Sequence, residues 1–191
     1  MVKAIVFDCF GVIVGKGFDY TYRLAGGDPV KDKRFIYETL AKANLGLISD
    51  QAFRRLMAAK LGISNDKWRK AVRQAEQADR QLLDYIKSLR LKYKTAILSN
   101  ANYGVLERKI GEQCLKDCFD QIIVSAEVGL VKPDPRIYEM AAERLGVSLN
   151  ECVFVDDRQL FLDAGQNLGM KVILYQDFKS LRRDLAALTA A

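Results

Sequence analysis

The sequence predicts an α/β protein, a parallel sheet wound by helices on both faces and interrupted by an all-helical insertion. Three observations carry this. Short apolar runs at 3–8, 94–99, 121–125, 152–156 and 171–175 are apolar throughout, as strands covered on both faces are. Segments of helical period lie between the later runs, and that alternation argues a parallel sheet. Residues 15–91 contain no convincing strand.

The first run, "KAIVFD", ends on a carboxylate, Asp8, followed by Cys9, Phe10 and Gly11. The insertion comes next. Phe53, Leu56, Met57, Lys60 and Leu61 form one expected helical face, and Leu82, Leu83, Ile86 and Leu89 another. Ser49 and Ser64 stand where helix N-caps belong, and Gly62 separates two helices. The insertion thus reads as four helices over 15–91, dividing the α/β core into 1–14 and 92–191. Beyond the second and third strands, Ile137, Met140, Ala141 and Leu145 follow a 3.6-residue period over 135–145, with Gly146 as the stop. A helix over 158–168 is stopped by Gly169, and 177–188 reads as a closing helix.

At 191 residues, half of them hydrophobic, the chain suits one full core with an inserted subdomain. No apolar run approaches the ~18 residues that span a bilayer, and no basic leader precedes the first strand. The expectation is a cytoplasmic protein without membrane contact, monomeric by default. Cys9, Cys114, Cys118 and Cys152 read as reduced core cysteines. Histidine is absent, which removes Ser-His-Asp and Cys-His machinery and His-ligated metals. Chemistry must run on carboxylates, hydroxyls, lysines or an oxygen-bound metal. The net charge of +6 is uneven: residues 15–91 hold 16 Lys+Arg against 9 Asp+Glu. That excess reads as solvated helix faces or as a field drawing anions toward a cleft. No basic run is interleaved with aromatics, so no nucleic-acid partner is expected.

In a parallel sheet, ligands bind beyond the C-terminal ends of the strands. Those ends carry Asp8, then Ser99 and Asn100 in "LSN", then Lys132 in "KPDPRIY", then Asp156 and Asp157 in "VDD". Taken in order, with a helical block after the first, this set resembles the haloacid dehalogenase superfamily of hydrolases over essentially the whole chain. Residues 44–57, "NLGLISDQAFRRLM", are similar to the cap of its sugar-phosphatase and epoxide-hydrolase-associated branch. The resemblance implies a Rossmann-like core with residues 15–91 as a helical cap. It implies a Mg²⁺-dependent phosphatase acting on a small phosphorylated metabolite through an aspartyl-phosphate on Asp8. Asp8, the Phe10 backbone carbonyl and Asp157 are then direct metal ligands, with Asp156 binding directly or through water. Lys132 supplies positive charge against Asp8 and a phosphate oxygen. Ser99 and the Asn100 backbone N–H donate to the phosphate, and Gly11 lets the loop bend so that amides approach it.

Phe10 departs from the family pattern. Phosphatases of the superfamily usually carry a second Asp there, which protonates the leaving oxygen and then assists water. Such help is worth roughly 10²–10⁴ in rate. A backbone carbonyl survives the change to Phe; proton transfer does not. Three readings follow: a slow phosphatase or one with another proton carrier, a metal-independent 2-haloacid dehalogenase, and a non-catalytic member binding a phosphorylated ligand or a protein. Asp156 and Asp157 favour the first, because acids gathered beside Asp8 repel one another without a cation. Tyr20, Tyr22 and Arg23 are candidates to face the cleft, or a plain hinge segment.

Overall fold

A computed structural model describes residues 1–189. Five parallel strands form one sheet: β1 (Ala4–Phe7), β2 (Lys94–Ser99), β3 (Gln121–Val124), β4 (Cys152–Asp156) and β5 (Lys171–Leu174), in the order β3-β2-β1-β4-β5. β1 is central, its Ala4–Phe7 pairing with Lys94–Ile97 on one side and Cys152–Val155 on the other. All four β1 residues are fully buried. Burial of Ile5, Val6 and Phe7 contributes about 1.5–3 kcal/mol each.

Five helices lie between β1 and β2: α1 (Phe18–Leu24), α2 (Lys33–Asn44), α3 (Asp50–Lys60), α4 (Asn65–Ala75) and α5 (Arg80–Leu89). Ser49 and Ser64 cap α3 and α4, accepting from the N–H groups of Ala52 and Lys67. Helices α1–α4 share an apolar cluster that includes Tyr22, Ala25, Ile36, Met57, Trp68 and Ala71. The expected face on α3 holds only in part: Met57 is buried, whereas Leu56 is 41% exposed. α5 packs elsewhere. Its Leu82, Leu83 and Ile86 join Ile5, Phe7 and Ile97 against one face of the sheet. The insertion leaves and re-enters where Val14 pairs with Ala78, next to Gly15. Gly15 has φ +64, and a Cβ there would lie 2.4 Å from the Ala75 carbonyl oxygen.

After β2 come α6 (Val105–Ile110) and α7 (Glu112–Cys118), and after β3 the short α8 (Ser125–Val128) and α9 (Pro135–Leu145). Asp134 caps α9 and Gly146 ends it in the left-handed region at φ 65. A 3-10 turn (Leu149–Glu151), α10 (Gln159–Asn167) and α11 (Phe178–Thr189) complete the chain. The second face of the sheet is covered by Ile137, Tyr138 and Ala141 of α9 and Leu162 of α10. All four cysteines are free thiols. Among the described residues, no helix is long and apolar enough to cross a membrane.

Candidate active site

Parallel topology brings the strand ends together at one edge of the sheet. Asp8 follows β1, Ser99 ends β2, and Asp156 ends β4 with Asp157 behind it. Asp8, Asp156 and Asp157 each offer an oxygen within 4.8 Å of the others. Lys132 reaches in from the loop between α8 and α9. Its Nζ lies 2.5 Å from Asp8 Oδ1 and 2.6 Å from Asp156 Oδ2, with the ammonium wholly buried. It also lies over the rings of Phe154 and Phe161, 5.2 and 5.0 Å from their centroids. Lys132 is thus an internal counter-ion rather than a surface lysine.

The backbone of Lys132 is held by Asn100. The Asn100 Nδ2 donates to the Lys132 carbonyl at 2.9 Å, and its Oδ1 accepts from the Lys132 N–H at 2.8 Å. This two-point clamp joins the end of β2 to the lysine loop. The sequence suggested only the Asn100 main chain; the side chain has this separate, positioning part. Ser99 is fully buried, and its hydroxyl has no hydrogen-bond partner among the described residues. A buried hydroxyl without a partner costs stability, about 1–3 kcal/mol. It is not a helix cap, since Gly104 precedes α6.

Gly11 is pressed against the acid cluster. It has φ +96, and a Cβ there would fall 2.1 Å from Asp157 Oδ2. Its N–H donates to the Val14 carbonyl at 3.0 Å, so what it gives the site is room for Asp157 rather than an amide aimed outward. Both Asp156 oxygens are engaged, Oδ2 by Lys132 and Oδ1 by the Arg158 N–H at 2.9 Å. Asp157 does not cap α10, whose N-cap position is Arg158.

The electrostatics follow from burial. Burial foremost, with the charges of Asp156 and Asp157 added, pushes the Asp8 carboxyl up to about 7 even though Lys132 pulls it down. Burial and then Asp156 push Asp157 to about 6. For Lys132, burial disfavours the charge, but Asp8 and Asp156 outweigh it and raise its pKa. Three carboxylates face one ammonium, so two negative charges remain unbalanced when all are ionised. The donor atoms are hard oxygens. This set fits a divalent oxygen-seeking cation such as Mg²⁺.

Tyr22 does not face the cleft. It is buried inside the helical insertion, and its hydroxyl donates to Asp32 at 2.9 Å. Tyr20 is 40% exposed under Lys16, and Arg23 is exposed. The residues that do bridge insertion and sheet were not singled out from the sequence. Asn102 donates to the Ile48 carbonyl at 2.7 Å, Ser125 to the Asn44 carbonyl at 2.6 Å, and Arg108 to Asp50 at 2.8 Å. Lys109 pairs with Glu76 at 2.7 Å. Each is an ordinary polar residue in its local context; only the fold brings it to a seam.

The chain is similar to known proteins over much or all of its length. D-ribitol-5-phosphate phosphatase of Bacteroides thetaiotaomicron is 27% identical over 205 residues, covering 98% of each chain. Bifunctional epoxide hydrolase 2 of Sus scrofa is 40% identical over 75 residues, which is 39% of this chain and 14% of that protein. A HAD family enzyme of Bacteroides thetaiotaomicron, crystallised in complex with magnesium and inorganic phosphate, superposes with a TM-score of 0.74 at 22% identity, over 95% of this chain and 99% of that one. The family model for haloacid dehalogenase-like hydrolases matches residues 2–169, a span that holds every strand end described above except that of β5. The chain therefore belongs to the haloacid dehalogenase-like hydrolases.

Proposed function

We propose that the chain is a Mg²⁺-dependent phosphatase that acts on a small phosphorylated metabolite through an aspartyl-phosphate on Asp8. The observation that carries this reading is the acid cluster itself, with three carboxylate oxygens within 4.8 Å of one another and the Lys132 ammonium paired to two of the acids. Asp8, Asp157 and the Phe10 backbone carbonyl would hold the ion directly. Asp156, whose oxygens are already taken by Lys132 and Arg158, suits a water-bridged place. When bound, the ion supplies positive charge that keeps Asp8 ionised and offsets its repulsion from the phosphate.

The protein's own groups do the rest. An Asp8 oxygen attacks phosphorus, the ester P–O bond breaks, and the phosphoryl group is left on Asp8. Water then attacks that phosphorus and restores the carboxylate with release of inorganic phosphate. Lys132 holds the Asp8 carboxylate through Oδ1 and keeps a positive charge beside the transferring group. The unpartnered Ser99 hydroxyl and the Asn100 N–H serve as phosphate donors, and the Asn100 carboxamide fixes the lysine loop. Phe10 donates no proton, so the leaving oxygen must take one from solvent or another side chain, which favours esters with good leaving groups.

The sequence divides the chain into a core of 1–14 and 92–191 and a cap of 15–91; because α5 packs on the sheet, this reading ends the cap near Ala78 instead and counts α5 with the core. The phosphatase relative, which spans the same length, supports a sugar or polyol phosphate as the substrate class. The test is phosphate release from an aryl phosphate with Mg²⁺. Its loss with EDTA and in Asp8→Asn supports the proposal. Halide release from 2-chloropropionate, indifferent to EDTA, would make the chain a dehalogenase. Neither activity, in a folded protein that binds Mg²⁺, would make it a non-catalytic phospho-ligand or protein binder.

A further inference from the structure

The loop that follows β2 is held by a side chain that the mechanism above leaves out. Ser99 is the last residue of β2 paired with β3, and it lies opposite Val124. The next residue after Val124 is Ser125, the first of α8, and it is fully buried. Its Oγ accepts from the Ala101 N–H at 3.0 Å. The Ala126 N–H donates to the Ala101 carbonyl at 3.3 Å. The Ser125 side chain thus continues the tie between β2 and β3 past the point where backbone pairing ends.

The Ser125 hydroxyl has one proton and two acceptors within reach. The Asn44 carbonyl, at the end of α2, lies at 2.6 Å, and the Ala101 carbonyl at 3.2 Å. The shorter bond takes the proton, which leaves an oxygen lone pair for the Ala101 N–H. Asn44 therefore fixes the rotamer of Ser125 together with its proton. Ala101 is 4% exposed, and a buried N–H must find an acceptor, so this bond governs how the loop can lie.

Between the two pinned residues stands Asn100. Its side chain clamps the main chain of Lys132, and its neighbour Ser99 carries the unpartnered hydroxyl. The Asn100 carbonyl and the Ala101 N–H belong to one planar peptide unit, so holding the second sets the first. Without the Ser125 hydroxyl that unit is free to turn, which moves the Asn100 N–H relative to Ser99 Oγ. These are the two groups that the phosphatase reading gives to the phosphate.

We propose that Ser125 is a positioning residue, which touches no substrate and aims the phosphate-donating loop at 99–100 by holding the Ala101 amide. The proposal rests on the reading that this loop takes a phosphate, but experiment separates the two. The competing role is simple satisfaction of a buried site, which would lower stability and leave phosphate affinity alone. The carboxylates of the acid cluster hang on β1 and β4 rather than on β3, so Mg²⁺ affinity serves as the internal control.

The experiment titrates inorganic phosphate, with saturating Mg²⁺ and well below the melting temperature, into wild type and Ser125→Ala, and titrates Mg²⁺ into each separately. Ser125→Ala should bind phosphate about tenfold more weakly, the worth of one misplaced bond to a charged group, and Mg²⁺ within about twofold of wild type. In the same variant kcat/KM should fall about tenfold for an aryl and for a polyol phosphate alike. Unchanged phosphate affinity in folded Ser125→Ala, or a loss shared equally by Mg²⁺, overturns the proposal. If Ser125→Ala does not fold, Ser125→Cys, which fills the same place with a weak donor and acceptor, takes over with the same expectations. A wild type that binds phosphate and cleaves no ester defeats the phosphatase reading alone, and phosphate affinity still decides the part of Ser125. A wild type that binds no phosphate overturns both.

Discussion

Two charged regions of this molecule, the acid cluster at the sheet edge and the seam between helices and sheet, differ in how they are built. The first hangs on strand ends. Asp8, Ser99 and Asp156 sit on or beside a paired backbone, only 6%, 0% and 0% exposed, and Lys132 is clamped through Asn100. The second hangs on helices and loops of the insertion and the sheet, and its Arg108–Asp50 ion pair is partly wet. At the seam, ion pairs such as Arg108–Asp50, with side chains 47% and 25% exposed, are of the kind worth about 0–1 kcal/mol. At the edge, repulsion among buried acids is a standing cost that only counter-charge relieves. The difference teaches that the edge is organised for chemistry at the expense of stability, and the seam for fit.

Substitutions sharpen this comparison. The largest effect is expected at Asp8. Asp8→Asn removes the nucleophile while relieving repulsion, so phosphate release should fall on the order of 10⁴-fold or more with no loss of melting temperature. A stopped assay together with a melting scan checks both halves. Lys132→Met leaves Asp8 and Asp156 buried without their ammonium. Stability should fall by about 3–5 kcal/mol, measured by denaturant unfolding. A loss under about 1 kcal/mol would mean that these acids are already neutral or solvated.

A pH scan probes the same cost. Without metal, Asp8 sits at about 7 and Asp157 at about 6, both above the ordinary 3.8. The folded chain then holds protons that the unfolded chain has released. Stability from these groups is full below 3.8 and is lost as pH climbs through about 6 and then about 7. In EDTA the melting temperature should therefore drop between roughly pH 4 and pH 7, and Mg²⁺ should remove most of that drop. A flat profile in EDTA would contradict the repulsive cluster.

Phe10→Asp restores the acid–base group that the superfamily's phosphatases usually carry. Turnover of an alkyl phosphate should rise by about 10² or more, and that of an aryl phosphate by less, because its leaving group needs less protonation. An unchanged rate in a folded variant would remove the missing acid from the explanation. The smallest effect is expected at the seam's exposed pair. Arg108→Ala should change stability by less than about 1 kcal/mol in denaturant unfolding.

Much of the sheet was legible before any coordinates. Unbroken apolar runs mark doubly covered strands, and the predicted runs match β1–β5 to within about one residue at either end. The N-caps Ser49 and Ser64 and the stop at Gly146 were legible because capping is local chemistry. The strand-end residues were legible because parallel topology dictates which ends meet. The rest depends on packing between elements. Leu56 keeps helical spacing yet lies on the edge of its face, and Tyr22 turns into the insertion's own core. Glu76 and Lys109 carry no local signal, since any helix has such residues. Gly11 was legible as a bend, but its contact with Asp157 joins residues at opposite ends of the chain.

The most direct test of the central claim is phosphate release from an aryl phosphate as a function of Mg²⁺ concentration, in wild type and Asp8→Asn. The account predicts saturable activation by the ion, abolition by EDTA, and no release from the variant at any Mg²⁺ level. Release that ignores EDTA, or that persists in folded Asp8→Asn, would contradict it.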